Sequence, residues 1–346
     1  MFYYDGGSLI IYSILSIILG ILLLNYGSDW FVLGSSKFAK SLKVSNFVIG
    51  ATIVAFGTSL PEIITSVYGA FEGYGGIAAG NAIGSCITNI GFVLGICAII
   101  SPIVIKHHSI LKNVKIYFMF SLIAFILGLD GYNRIDGVIL FLLFLGYVIY
   151  TIKSGSGIIE EDIDESKKIG LPLSILLIIL GLIAVIVGSG IFVNGAVDIA
   201  KLLGVPDSIV GFTLVAFGTS LPEFVVSLSA VRKGLGDIVL GNVVGSNIAN
   251  IGAALGLSAI VLPISVKLYG AQLYINTFLV SLLLFFVIRN GFNPFKSGSC
   301  NNGISNNSNN GNNDNNENNK IKYPVISKID GIILFIIYVV FLIITI

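Results

Sequence analysis

Of the 18 acidic residues in the chain, only Glu62 and Glu223 fall well inside long apolar stretches, and each follows a proline within the same six letters, GTSLPE. A charge at the centre of a bilayer costs at least about 2.5 to 3.5 kcal/mol. No Lys or Arg lies at that depth to balance them, so the two carboxylates are either protonated or neutralised by mobile cations. On a helix, Ala55, Thr58, Ser59 and Glu62 share one face, and Ala216, Thr219, Ser220 and Glu223 share the equivalent one. Ser85 with Asn89, and Ser246 with Asn250, form i, i+4 pairs on two further apolar stretches. Together these groups offer carboxylate, hydroxyl, amide and carbonyl oxygens and almost no nitrogen or sulfur, the donor set that hard cations such as Ca2+ and Na+ prefer. Any one hydroxyl taken singly reads as a packing residue. Two matched glutamates, each beside a proline, do not.

The prolines bear on the backbone. Pro61 has no N–H for the carbonyl of Gly57, nor Pro222 for that of Gly218, so both stretches should break or bend there. Carbonyls freed in this way are tolerated in a membrane only where they line a cavity.

Composition says which elements carry these residues. The 346-residue chain is 55% apolar and 11% charged, against about 25% charged in a soluble globule. Its apolar runs reach the roughly 20 residues that cross a bilayer, and the ten-residue alternating segments of a barrel are missing from the sequence. The expectation is an all-α membrane protein of ten transmembrane helices, near 9–30, 46–70, 77–101, 115–130, 135–152, 171–198, 207–230, 238–262, 270–289 and 329–346. The first is read as a retained span, because no basic region precedes it and no small-residue cleavage site follows. With both termini outside, the odd-numbered connections are cytoplasmic and hold 16 of the 19 basic residues, all but Arg134, Lys201 and Lys267, as the positive-inside rule requires. An acidic run at 160–165 sits in a cytoplasmic linker, 154–170, and an Asn-rich stretch at about 295–322 is too polar to fold. Cys86, Cys97 and Cys300 have no metal or redox spacing and read as small hydrophobes, while His107 and His108 read as solvated loop residues.

Residues 50–62 and 211–223 agree at 11 of 13 positions, and 80–95 agrees with 241–256 at 10 of 16, both at an offset of 161. The chain thus divides into a first five-span repeat, 1–153, and a second, 171–346, with broken helices at the second and seventh spans. An odd number of spans per copy inverts the second against the first. That is a plan of secondary transporters, whose sites lie near the midplane where the copies meet.

With GTSLPE and GS-x-x-x-N in both halves, the sequence resembles the alpha repeats of the calcium/cation antiporter superfamily, specifically prokaryotic sodium/calcium exchangers, directly over about 27–95 and 188–256. The resemblance implies a diamond-shaped cluster of cation sites. Glu62, Glu223, Thr58 and Thr219 would serve Ca2+. The Na+ sites would share those residues and add the carbonyls of Ala55 and Ala216 with Ser59, Ser85, Asn89, Ser220, Ser246 and Asn250. It also implies that the first and sixth spans are long, tilted helices that slide against the rest. Relatives often carry Asp at the position of Asn250, and the amide here argues against potassium co-transport. Cys86 stands where the second repeat has Asn247, a difference of packing.

The function so implied is secondary active antiport of Na+ against Ca2+ by alternating access. Two ionised glutamates are neutralised by one Ca2+ and overbalanced by three Na+, which makes a three-for-one exchange electrogenic. A Ca2+/H+ antiporter, in which the glutamates release protons, and a cation channel stay open as alternatives, although inverted repeats do not supply a channel's axis along the membrane normal. No nucleophile–base pair or metal-ligand motif suggests an enzyme. The expected protein is a monomer in the lipid of the plasma membrane, multi-pass, with extracellular termini, no cofactor besides the transported ions and no nucleic-acid partner.

Overall fold

A bilayer offers the backbone no water, so the apolar runs can cross it only as helices that satisfy their own N–H and C=O groups. The computed structural model describes residues 6–104, 108–154, 170–204, 216–265, 270–291 and 325–345, and nearly all of them are helical. In the first half lie α1 (Gly6–Leu42), α2 (Asn46–Thr58), α3 (Leu60–Phe71), α4 (Gly75–Ile100), α5 (His108–Leu127) and α6 (Arg134–Ser154). The second half holds α7 (Leu171–Leu202), the short α8 (Ala216–Thr219), α9 (Leu221–Arg232), α10 (Gly236–Val261), α11 (Gly270–Gly291) and α12 (Lys328–Thr345). Among the described residues six helices are long and apolar enough to span a membrane, or seven if α2 and α3 count as one bent span. The chain is a helical membrane protein.

Most helix bounds fall within a few residues of the expected spans. There are two exceptions: α1 continues past 30 to Leu42, and α5 starts at His108, so that histidine opens a helix instead of lying in a loop. Most of the 154–170 linker, the 295–322 stretch with Cys300, His107, and the first part of the expected seventh span lie outside the described residues.

Two helix starts show why the chain turns inward where it does. Before α6, Asn133 Oδ1 accepts from the N–H of Ile135 (2.8 Å) and of Asp136 (3.1 Å), while Asp136 Oδ2 accepts from Asn133 N–H (2.9 Å). Before α12, Ser327 and Asp330 repeat the exchange: Ser327 Oγ accepts from Asp330 N–H at 3.2 Å and Asp330 Oδ2 from Ser327 N–H at 2.9 Å. Both are capping boxes with Asp in place of the usual Glu. Arg289 at the end of α11 ion-pairs with Asp330. The extended segments beside these starts also correspond. Ile103–Val104 pairs antiparallel with Val325–Ile326, and Ile264, at an offset of 161 from Ile103, bridges Tyr132.

Small residues set the helix contacts, as they must where lipid is as apolar as the side chains. Along α1, Gly20, Gly27 and Gly34 recur every seven residues against Phe192, Ala184 and Ser174, and along α7, Gly181, Gly188 and Gly195 meet Phe31, Leu23 and Ser13. The contacts run in opposite order, so the two long helices are antiparallel. Centrally placed are α4 and α10, with 72% and 89% of their most apolar windows buried. The α6 helix lies on α10 with Gly137 against Gly256, and α12 lies on α4 with Gly331 against Gly95. Both joints cross between the halves and correspond to one another, since Gly95 and Gly256 are also 161 apart.

Candidate cation-binding site

The site starts from the break between α2 and α3. Ser59 leaves the helical region (φ −84°, ψ 2°), Pro61 follows in the first turn of α3, and the two helices meet at 46°. Ser220 takes the same conformation (φ −86°, ψ 2°) between α8 and α9, with Pro222 next. Proline suits a first helical turn, whose N–H groups have no intrahelical partner. A kink thus becomes a fresh helix start, and Glu62 and Glu223 sit in that first turn, where the helix dipole favours negative charge. Their exposures are 0% and 1%.

The two halves hold each other's carboxylates. Ser59 Oγ donates to Glu223 Oε1 at 2.9 Å, and Ser220 Oγ reaches Glu62 Oε1 at 3.5 Å. The glutamates are within electrostatic reach of one another. Their remaining oxygens, Glu62 Oε2 and Glu223 Oε2, have no hydrogen-bond partner among the described residues, and no Lys or Arg ion-pairs with either.

The other residues picked from the sequence lie on helices packed against α3 and α9 or within the same broken helices. Thr58 is fully buried, its hydroxyl within reach of the carbonyls of Val54 (3.1 Å) and Ala55 (3.3 Å) and of Asn242 Oδ1 (3.2 Å). Thr219 Oγ1 is 3.4 Å from Asn81 Oδ1. Ser246 Oγ donates to the carbonyl of buried Ala55 at 3.3 Å, and Ser85 is buried on α4. Ala216 begins α8. Asn89 and Asn250 each open a wide, π-type turn, Asn89–Leu94 in α4 and Asn250–Leu255 in α10, and a third, Gly50–Val54, precedes Ala55 in α2. Such turns cluster at functional sites because they displace backbone from the regular ladder. Asn89 Oδ1 and both polar atoms of the Asn250 amide have no partner among the described residues.

Sequence reasoning missed two asparagines. Asn81 Nδ2 donates to the carbonyl of Glu62 (3.0 Å) and to Ser66 Oγ (2.9 Å), while Asn242 Nδ2 donates to the carbonyl of Glu223 (3.4 Å) and to Ser227 Oγ (3.0 Å). The signal was present: both follow the first glycine of the second repeat motif at an offset of 161, one turn before Ser85 and Ser246. Cys86 and Asn247, also 161 apart, touch each other. Asn247 Nδ2 donates to Cys86 O (3.2 Å) and to Tyr117 Oη (2.8 Å), and Asn89 Nδ2 donates to Asn247 Oδ1 (2.9 Å).

A buried carboxylate or amide oxygen left without a donor costs about 1 to 3 kcal/mol, more when charged. Four such oxygens, on Glu62, Glu223, Asn89 and Asn250, occur among the residues picked from the sequence, which include only two acids. Among the described residues no group of three or more His, Cys, Asp or Glu could chelate a metal. Carboxylate and amide oxygens left unsatisfied are the kind of donor that a hard cation takes.

Comparison with known proteins adds to this geometry. The sequence model of a family described as "Sodium/calcium exchanger protein" matches residues 12–153 and 173–346. An uncharacterized membrane protein of Methanocaldococcus jannaschii is 54% identical over 243 residues, covering 70% of this chain and 80% of that protein. The sodium/calcium exchanger MaX1 of Methanosarcina acetivorans is 33% identical over 325 residues, 81% of this chain and 92% of that one. A solved structure of the sodium-calcium exchanger NCX_Mj, soaked with Na+ and Sr2+, superposes with a TM-score of 0.78 at 42% identity, covering 96% of this chain and 97% of that chain.

Proposed function

Since the chain belongs to the sodium/calcium exchanger family, we propose that it is a secondary antiporter that carries Na+ and Ca2+ in opposite directions through the site between its two halves. One observation carries the reading. Each buried glutamate is held by a serine of the opposite half and keeps one oxygen that no described residue satisfies.

Ten spans in two inverted five-span repeats account for that reciprocity. The antiparallel glycine contacts of α1 and α7, and the matching joints of α6 on α10 and α12 on α4, support the same plan. Inverted halves that exchange their conformations turn an outward-facing site into an inward-facing one, which is the basis of alternating access. The ligands follow the donor chemistry. Glu62, Glu223, Thr58 and Thr219 serve Ca2+. These residues, joined by the Ala55 and Ala216 carbonyls, Ser59, Ser85, Asn89, Ser220, Ser246 and Asn250, serve Na+. The protein works as a monomer in the plasma membrane with both termini outside, and it uses no cofactor.

With two ionised glutamates, one Ca2+ leaves the site neutral and three Na+ leave it with one positive charge. Each cycle then moves one charge, worth about 2.3 kcal/mol per 100 mV, and a negative interior drives Na+ in and Ca2+ out. The test is radioactive Ca2+ uptake into liposomes under an outward Na+ gradient. Uptake should vanish without Na+, persist with the proton gradient collapsed, and be lost in Glu62→Gln and Glu223→Gln while both variants stay folded. Uptake driven by protons alone overturns the coupling ion, and a reversal potential fitting two Na+ per Ca2+ overturns the stoichiometry.

A further inference from the structure

The hydroxyls of Ser59 and Ser220 donate to the glutamates, and those of Thr58 and Thr219 belong to the residues beside these serines in the sequence; each carries a single hydrogen. A cation is bound by oxygen lone pairs, so a hydroxyl hydrogen that settles on an acceptor outside the ligand set leaves more lone-pair capacity for the ion. At Thr58 several acceptors compete: the carbonyls of Val54 (3.1 Å) and Ala55 (3.3 Å), Asn242 Oδ1 (3.2 Å) and the nearby Glu223 carboxylate. Ser246 has two, the Ala55 carbonyl (3.3 Å) and again Asn242 Oδ1 (3.5 Å). Hydrogens that settle on Ala55 use up lone-pair capacity on a carbonyl placed at the site.

The orientation of the Asn242 amide is forced. A backbone carbonyl can only accept, so the group facing Glu223 O at 3.4 Å must be the NH2, which also donates to Ser227 Oγ at 3.0 Å. The oxygen is then left pointing across the interface at Thr58. Asn242 is fully buried, so it has no solvent to turn toward. Asn81, which is only partly buried, makes the same kinds of contact, its NH2 on Glu62 O (3.0 Å) and Ser66 Oγ (2.9 Å) and its oxygen 3.4 Å from Thr219 Oγ1.

Resting on the exchanger reading above, we propose that Asn242 and Asn81 are positioning residues that take up the hydroxyl hydrogens of Thr58 and Thr219 across the interface, turning the threonine lone pairs and the adjacent backbone carbonyl toward the cation. Neither asparagine touches the ion in this account. Each fixes its own half's glutamate backbone with its nitrogen and the opposite half's threonine with its oxygen, so the ligand geometry of one copy is set by the other.

Double-mutant cycles on the full-length protein, with Ca2+ dissociation constants from calorimetry, test this. Thr58→Val and Asn242→Ala should each weaken Ca2+ binding about tenfold or more, and the double variant should be weakened by at least about fivefold less than the product of the two single effects, because the oxygen-side role of Asn242 is already lost in Thr58→Val. Asn242→Ala combined with Thr219→Val should instead multiply the two single effects. A general packing defect predicts multiplication in both pairs, or equal coupling to both threonines, and either outcome overturns the proposal. Should Asn242→Ala not fold, the mirrored cycle of Asn81→Ala with Thr219→Val, and with Thr58→Val as its control, carries the same expectations. Wild-type protein that binds no Ca2+ overturns the exchanger reading itself, whereas wild-type binding with multiplicative effects throughout overturns only the role given to the asparagines.

Discussion

Adding one methyl group at Gly245 should move the whole α2 side of the site. Gly245 precedes Ser246 on α10 and faces α2 backbone directly. A Cβ there would fall 2.5 Å from the carbonyl oxygen of Ala51 and 2.7 Å from Ala55 Cβ. Ordinary contact begins at 3.4 Å, so α2 must retreat by up to the 0.9 Å difference between 3.4 and 2.5 Å, because the obstacle is main chain and cannot swing aside. That retreat acts on the Ser246 Oγ to Ala55 O bond at 3.3 Å and the Thr58 Oγ1 to Asn242 Oδ1 contact at 3.2 Å, taking both beyond the roughly 3.5 Å at which a hydrogen bond is lost. Overpacking of this kind costs about 1 to 3 kcal/mol of stability. If about 1.4 kcal/mol of it falls on the ligand geometry, Ca2+ binds about tenfold more weakly. Gly146→Ala on α6 is the control, since its Cβ meets nothing within 4 Å and a helical Gly→Ala change is favourable by up to about 1 kcal/mol. Calorimetric Ca2+ titration of both variants, with thermal unfolding alongside, reads the effect. Gly245→Ala with wild-type Ca2+ affinity would refute the claim that the backbone contact of α2 with α10 sets the site.

Other perturbations follow from the same packing. In the contact of α1 with α7, a Cβ at Gly181 would lie 2.5 Å from Phe31 N, so Gly181→Ala should cost about 1 to 3 kcal/mol in thermal unfolding, whereas Gly190→Ala, with open space around it, should not lower the melting temperature. Ser327→Ala removes the hydroxyl of the α12 capping box and should cost about 1 kcal/mol, measured as denaturation in detergent. Lys233→Ala breaks the ion pair with Asp29, but the two side chains are 33% and 49% exposed, so its effect on stability should stay below about 1 kcal/mol.

Much of this arrangement was legible in the residues, and the illegible parts have physical causes. Hydropathy located the apolar runs well because burial in lipid selects them directly. It misjudged the end of α1, since Lys37 and Lys40 mark where lipid yields to water and say nothing of where the helix stops; the helix continues to Leu42 and ends at Lys43, whose φ is +56°. The prolines announced a break, but its position, one residue earlier than Leu60, depended on Ser59 adopting a conformation open to most residues. The wide turns at Asn89 and Asn250 have no residue signature, as an i to i+5 hydrogen bond asks nothing special of a side chain. Asn81 and Asn242 were not singled out because their meaning lies in partners far along the chain, 138 and 184 residues away. The difference between Cys86 and Asn247 read as packing; the two meet, and the Asn247 amide is hydrogen-bonded to Cys86, Tyr117 and Asn89.

Ser59 serves Glu223, and Ser220 serves Glu62. A gene fragment encoding a single half would therefore make a polypeptide without the serine donor for its own acid, a donor that a second fragment lying alongside would supply. Cut into two co-expressed pieces, the molecule should regain its shape through that mutual need, and a lesion in one piece should surface as a fault in the other.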